Sequence, residues 1–360
     1  MYKGTGISKD QLSDDGEPCI LYGELYTKYK SETIREVISK TNIDNTKLVR
    51  SKANDVIIPC SGETAEDIAT ARCVLNGNIL LGGDLNIIRL HRYDGTFMSY
   101  QLNGRRKYDI AKVAQGVSVV HLYGEHLKGV KTINPCLEEQ KKIASLLALL
   151  DERITTQNKI IDRLQSLIKG IVDCTILRKE KNAIVGDVCS ISEQIKAEAN
   201  IDDIITVRLH GNGVCKSSAE NLQLGATQYF RRRAGQLIYG KQNFHNGAIG
   251  IVPKSLDNGI TSKDIPSFDI YDVNCNSAYL LAQLQSPQYY KPAEALTTGT
   301  GSKRLKEETF LKMPIVLPNK REQDNIAILI YRISINLDQA KKMLDLFSIQ
   351  KQYLLRQMFI

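Results

Sequence analysis

Residues 134–171 read NPCLEEQKKIASLLALLDERITTQNKIIDRLQSLIKGI, and residues 317–354 read LPNKREQDNIAILIYRISINLDQAKKMLDLFSIQKQYL. The two stretches align without a gap at an offset of 183. Pro135 meets Pro318, Glu139-Gln140 meets Glu322-Gln323, and Ile143-Ala144 meets Ile326-Ala327. The offset continues upstream, where Gly116 meets Gly299, Leu122 meets Leu305 and Val130 meets Met313. Ungapped matching over about 55 residues marks an internal repeat and must be settled before any local element is assigned.

Both stretches carry a heptad period. The first seam is Ile143, Leu147, Leu150, Ile154, Gln157, Ile161, Leu164, Ile168 and Ile171. The second is Ile326, Ile330, Ile333, Leu337, Ala340, Leu344, Phe347, Lys351, Leu354 and Met358. Steps alternating between four and three give 3.5 residues per turn, the coiled-coil spacing. The prolines stand just ahead of each helix, where a missing N–H costs little. Glu138, Glu139 and Glu322 fall in the first turn, at the positive end of the helix dipole. A helix of this length reaches roughly 60 Å at 1.5 Å per residue. Each could pack on its own globule. Two apolar seams in one chain instead predict pairing with each other, antiparallel, with Gln157 and Lys351 as polar interruptions that fix register at some cost in stability.

The chain has 360 residues, 42% apolar and 24% charged, enough for two or three packed domains. The longest apolar stretch, residues 143–150, is far below the ~20 residues of a membrane span. The first ten residues lack the apolar core of a secretory signal. Eight cysteines without close pairing fit free thiols in a reducing cytoplasm. The net charge of +8 is permissive for nucleic acid, but it is spread over all segments, and no segment is a polybasic tail.

Four segments follow. Residues 1–134 and 183–317 are globules rich in Gly, Asn, Tyr and β-branched residues. Residues 135–182 and 318–360 are the helices. Strands are expected at 55–59, 78–81, 86–90, 236–239 and 248–252, and a helix at 271–285. The fold class is α+β: two globules related by the internal repeat, joined by a long antiparallel two-helix coiled coil.

Catalytic signatures are missing. No Walker loop, H-E-x-x-H or P-C-x-x-C occurs, and the five histidines have no metal spacing. Asn134-Pro135-Cys136-Leu137 lacks the second proline and the aromatic of the amino-methyltransferase tetrapeptide. The sequence therefore points to a binding protein, with no metal site.

The candidate DNA contacts are local. They are Arg105-Arg106-Lys107, Arg231-Arg232-Arg233, and Ser302-Lys303-Arg304 in the run that begins at Gly299. Such cations, with backbone N–H groups in a glycine turn, suit phosphate. Lys241, Gln242, Asn243 and His245 offer the donors and acceptors that read base edges, and the matching loop in the first half lies near residues 60–64. Each cluster could equally be a solvated turn.

Paired Pro-x-x-x-Glu-Gln segments, each opening a heptad helix after a variable globule, resemble the specificity (S) subunit of Type I restriction-modification systems. The carrying residues are 135–143 and 318–326, with Gly6-Ile7-Ser8-Lys9, Tyr22-Gly23-Glu24-Leu25-Tyr26 and Leu122-Tyr123. The resemblance implies two target recognition domains, each reading part of a split, asymmetric sequence in double-stranded DNA, with the helices as a ruler. It implies no catalysis in this chain and no cofactor bound by it. Two methyltransferase (M) subunits would use S-adenosylmethionine to methylate adenine, and two restriction (R) subunits would use ATP and magnesium. The alternatives are a coiled-coil scaffold, an orphan DNA-binding protein, or the remnant of a fused restriction enzyme. The second globule opens with Ala183-Ile184-Val185-Gly186-Asp187-Val188, the expected lead-in strand of a recognition domain. The first has no counterpart, so either the chain is truncated there or another segment fills the place.

Overall fold

A computed structural model describes every residue except 45, 117, 218–226, 300, 301 and 360. The chain divides into two compact units: Met1–Lys159 with Lys341–Ile360, and Ile160–Ala340. The division cuts both long helices. Each unit is therefore one globule plus part of each helix.

The helices are Leu137–Val172, continued by one π-turn to Leu177, and Lys320–Gln357. Every described seam position of both helices is buried or half-buried. In the first unit, Ala144 and Leu147 from early in the first helix pack with Leu354, Leu355, Met358 and Phe359 from the end of the second. In the second unit, Ile171, Val172 and Ile176 pack with Ile326, Ala327 and Ile330, so end meets start again. Pairing is antiparallel, as the two seams predict. Burying a Leu or Ile side chain fully contributes about 1.5–3 kcal/mol, and Leu147 and Ile176 are 0% exposed.

In the first unit a five-stranded sheet runs in the order Tyr2–Lys3, Leu85–Ile88, Asp55–Pro59, Arg72–Val74, Thr33–Ile34. Its core includes Val56, Ile58, Ile68, Met98, Leu102 and Leu127. In the second unit the corresponding sheet runs Cys189–Ile191, Ser267–Ile270, Leu237–Tyr239, Ile249–Ile251. The central pairs match in register: Val56 faces Ile88, and Leu237 faces Phe268. The frame is repeated, but the filling differs. Where the first unit has Ile58, Ile88 and Leu127, the second has Tyr239, Phe268 and Phe310, with the Tyr239 and Phe310 rings 4.7 Å apart.

The expected strands form at or within two residues of 55–59, 78–81, 86–90, 236–239 and 248–252. The helix expected over 271–285 is shorter, Ser277–Leu284. The Asn276 side chain accepts from the N–H groups of Ala278 and Tyr279, both at 3.0 Å, and this cap starts the helix six residues later than apolar pattern alone suggests. The lead-in strand Ala183–Ile184 is present and pairs with Pro314–Ile315. In the first unit Tyr2–Lys3 takes the place of Cys189–Ile191 at the sheet edge, one strand later in the repeat.

The repeat also extends where ungapped alignment loses it. Gln140 accepts from the Asp94 N–H at 2.9 Å and donates to the Pro135 carbonyl at 2.7 Å. Gln323 accepts from the Asn276 N–H and donates to the Pro318 carbonyl, both at 2.8 Å. Asp94 and Asn276 are the N-caps of Gly95–Asn103 and Ser277–Leu284. One buried glutamine thus ties each long helix to the cap of a short one. A second amide, Gln101, both donates to and accepts from Ile133, at 2.6 and 2.8 Å. With its side-chain amide turned end for end, Gln283 makes the same pair of bonds to Val316, at 3.1 and 2.9 Å.

Candidate nucleic-acid interface

The glycine run at Gly299, which looked like a phosphate turn, lies in a hairpin turn that is matched by one at Gly116 in the first unit. In the first unit Gln115 and His121 exchange backbone hydrogen bonds of 2.9 and 2.7 Å; in the second, Thr298 and Arg304 do so at 3.0 and 2.9 Å. Gly116 and Gly299 open these turns at φ +121° and +132°. A Cβ at either would stand 2.1 Å from the Val119 carbonyl oxygen or 2.6 Å from that of Ser302, so only glycine fits. Thr300 and Gly301 of this run lie outside the described residues.

Each hairpin is stapled to a second loop. The Leu305 N–H donates to the Lys241 carbonyl, and the Lys241 N–H donates to that of Asp264, both at 2.9 Å. In the first unit the Leu122 N–H donates to the Cys60 carbonyl at 2.8 Å, and the Cys60 N–H to that of Asp84 at 2.7 Å. Loop 60–64 is therefore the structural counterpart of the loop that begins at Lys241. Burial pushes the Cys60 thiol up to about 11, which keeps it in the protonated form at neutral pH.

The structure thus joins Lys241, Gln242, Asn243 and His245 to Ser302, Lys303 and Arg304 on one rim of the second unit. Gln242, Asn243, Ser302, Lys303 and Arg304 are exposed. Arg304 lies 3.3 Å from Asp264, and the Lys241 ammonium lies 2.6 Å from Glu307, mostly covered. Lys241 is therefore more a post for the loop than a free cation. His245 is half-buried, and its Nδ1 has no partner.

Arg231 and Arg233 sit elsewhere, ahead of strand Leu237–Tyr239, whose far end leads into Lys241. Roughly 10 Å of strand separates the two clusters. Both arginines are exposed, but Arg232 between them is not: it is 0% exposed. Its guanidinium donates to Thr261 Oγ1 at 2.7 Å, Ser267 Oγ at 2.9 Å and the Ile265 carbonyl at 2.9 Å. Burial pulls its pKa down to about 10. Alternation along the strand turns every second side chain inward. Arg232 is thus corrected from a phosphate contact to a buried brace.

The first unit repeats this turn as well. Asn54 and Gly235 are both left-handed, at φ +77° and +87°. The Lys52 N–H donates to Asp55 Oδ2 at 2.8 Å, as the Arg233 N–H does to Gln236 Oε1 at 2.9 Å. Arg50 and Lys52 therefore occupy the places of Arg231 and Arg233. The signal was present in Arg50-Ser51-Lys52-Ala53 against Arg231-Arg232-Arg233-Ala234, at an offset of 181 that small deletions hide from ungapped alignment.

Arg105, Arg106 and Lys107 belong to neither station. Arg105 is exposed, while Arg106 is half-buried and lies 3.5 Å from Asp109. With Tyr108 and Gln352, Arg105 and Lys107 line a cleft beside the last turns of the second long helix.

A ring cluster was not singled out from sequence. His121 stacks on Tyr123 at 6.3 Å, and Tyr123 meets His126 edge-on at 5.6 Å. Tyr123 is 46% exposed, and His126 Nδ1 has no partner. A spacing of two on an extended segment, followed by a helical turn, gathers these rings on one face; as scattered residues they carry no signal.

No family model matches the chain. It is 21% identical over 337 residues to the Type I restriction enzyme MjaVIII specificity subunit of Methanocaldococcus jannaschii, covering 85% of this chain and 77% of that protein. Its fold is that of the Type I restriction-modification S subunit from M. genitalium, with a TM-score of 0.65 at 15% identity, over 100% of this chain and 93% of that one. A chain from a structure described as the basis of complex assembly and conformational transition of the type I R-M system matches at a TM-score of 0.52 and 13% identity, covering 98% of this chain and 93% of that one.

Proposed function

We propose that this chain is the DNA sequence-specificity subunit of a Type I restriction-modification complex. The observation that carries the reading is similarity over the whole two-part layout. A relative of that name matches 85% of the chain in sequence, and an S subunit matches all of it in fold. A duplicated globule is the architecture a bipartite target requires: two readers fixed to one pair of helices, in the manner of half-site spacing in dimeric readers. Because the rims differ in side chains, the target would be asymmetric.

Adenine methylation and cleavage would belong to partner subunits, together with S-adenosylmethionine, ATP and magnesium. The helices offer repeated apolar positions for such partners. Leu146 and its counterpart Leu329 are 49% and 47% exposed, and Ile160 and its counterpart Met343 are 40% and 45% exposed. The same exposed apolar position in two copies of one helix suits two copies of one partner, in keeping with two M subunits. No helix among the described residues is long and apolar enough to cross a membrane; a cytoplasmic complex fits that.

The test is methylation. The chain, purified with its M subunit, should direct N6-methylation of adenine within one split sequence. Genome-wide mapping with and without the gene should show that motif appear and vanish together with it. An unchanged motif set would sink the reading, as would methylation lacking any bipartite motif.

A further inference from the structure

The two rims share a backbone frame and differ at their tips. The frame consists of the stapling bonds from Leu122 to Cys60 and from Leu305 to Lys241, with a left-handed glycine opening each hairpin. At the tips the second unit presents Gln242, Asn243, Lys303 and Arg304. The first presents Glu63, the exposed side chain of Val119, His121 and Tyr123. Strand pairing of His121 with Ser61 brings the first unit's hairpin directly onto its loop. Ser61 is held in turn by a hydrogen bond to Asp84 of 3.0 Å.

Two readers of different half-sites on one kind of duplex face a simple division. Phosphates are the same at both sites, so groups that hold them should repeat. Base edges differ, so groups that read them should diverge on an unchanged frame. The rim tips meet the second condition. Arg105–Lys107 fails the first, since at the repeat offset of 182 its counterparts are Pro287, Gln288 and Tyr289 with no cation among them, and it stands off the rim, in the cleft beside the last turns of the second long helix.

We propose that the first unit reads its part of the DNA target with Glu63, His121 and Tyr123, at the station where the second unit presents Gln242, Asn243 and Arg304. This rests on the specificity-subunit reading above and names the residues that set one half of the motif. Glu63 accepts from a base amino group, cytosine N4 being the usual match for a carboxylate, and is repelled by phosphate. His121 can both donate and accept, and Tyr123 flanks it. Arg105, Arg106 and Lys107 take no part in reading.

The experiment is motif mapping by N6-methyladenine sequencing, with the whole chain and its M subunit expressed together. Glu63→Gln, His121→Ala, Gln242→Ala and Arg105→Ala are compared, and co-purification with the M subunit verifies assembly. Glu63→Gln and His121→Ala should each lower discrimination about tenfold or more at one position of one half-motif, leaving the other half intact. Gln242→Ala should relax the opposite half, and Arg105→Ala should leave both intact. The proposal is overturned if assembled Glu63→Gln and His121→Ala complexes keep the wild-type motif. It is equally overturned if they lose methylation evenly across all sequences, the behaviour of a phosphate contact. A wild-type complex with no bipartite motif would instead overturn the functional reading beneath it.

Discussion

The ammonium of Lys351 lies 2.6 Å from Glu32 Oε2 and the same distance from Asp151 Oδ1. Tyr100 completes the group, its hydroxyl donating to Asp151 Oδ2 at 2.7 Å. The seam interruption at Lys351 is thus a buried ionic knot that ties both long helices to the first globule. Among the described residues the second unit shows no such knot: the positions equivalent to Tyr100, Asp151 and Lys351 are Ala282, Ser334 and Ile168, which line an open groove. One charged group at one end of a repeated seam distinguishes the two ends and specifies which helix end belongs to which globule.

Replacing Lys351 with Met should therefore be costly. It would leave two buried carboxylates without their cation, a change that typically costs about 3–5 kcal/mol. Adding Glu32→Gln and Asp151→Asn to Lys351→Met should recover part of that loss, because the two unpaired carboxylates are gone while the buried Arg72 guanidinium loses both of its acidic neighbours. Thermal unfolding of the single and triple variants checks this. A triple variant no more stable than the single one would show that the charges are not the cause.

The same knot fixes a pH dependence. Burial raises the Glu32 carboxyl above its usual range, against the downward pull of Lys351. A raised carboxyl pKa means the folded state holds its proton more tightly than the unfolded chain. Acidification through the window between the two values then favours folding at this group. Lys351 is desolvated too, but Glu32 and Asp151 outweigh burial and raise it, so its contribution is intact below the free lysine value. Without Lys351, the Glu32 carboxyl should rise further. The stability gap between Lys351→Met and wild type should narrow as pH falls from 7 toward 5. A gap that is constant or widens over that range would contradict the assignment.

Arg232 and Arg233 should separate two roles that adjacent residues in one basic run appear to share. Arg232→Ala strips Thr261, Ser267 and the Ile265 carbonyl of a buried partner, and unsatisfied buried groups cost about 1–3 kcal/mol each. It should lower the melting temperature while leaving the salt dependence of DNA binding unchanged in the folded fraction. Arg233→Ala should leave melting alone, weaken DNA binding on all sequences and reduce the salt slope by about one. Equal behaviour of the two variants in both measurements would refute the distinction.

This pair also shows how far the sequence could be read. The long helices were legible because nine or ten seam positions repeat one period, and the repeat because proline, glutamate and glutamine recur at one offset. Arg232 was not legible. Three consecutive arginines carry no mark of which one strand alternation will turn inward. Gln101 and Gln283 were hidden for another reason: a polar residue that clamps a backbone segment 32 or 33 positions away has no local pattern. The rim loops lay between these cases. The loop near residues 60–64 was placed by the repeat, whereas the rings of His121, Tyr123 and His126 meet only through a bend that sequence spacing does not encode.

The glutamine clamps give a prediction that the repeat itself sharpens. Gln140→Ala and Gln323→Ala each remove a partner from a buried cap N–H and a proline carbonyl. Because the geometries agree within about 0.1 Å, the local losses should be similar, about 1–3 kcal/mol. Hydrogen exchange should read them separately: the Asp94 amide exchanges faster in the first variant, and the Asn276 amide in the second. Faster exchange at both amides in either single variant would mean that the clamps are not independent.

The helix pair makes the last test geometric. If the helices set the separation of the two half-motifs, adding one heptad to each lengthens the pair by about 10 Å, since each residue adds 1.5 Å. DNA advances 3.4 Å per base pair along its axis, so the methylated motif should gain about three non-specific base pairs while both half-sequences stay the same. A heptad keeps the seam in phase; inserting four residues instead would rotate the seam off its partner and should abolish assembly with the M subunit. A heptad variant that assembles and methylates the original spacing would exclude the helices as the ruler, whatever reads the bases.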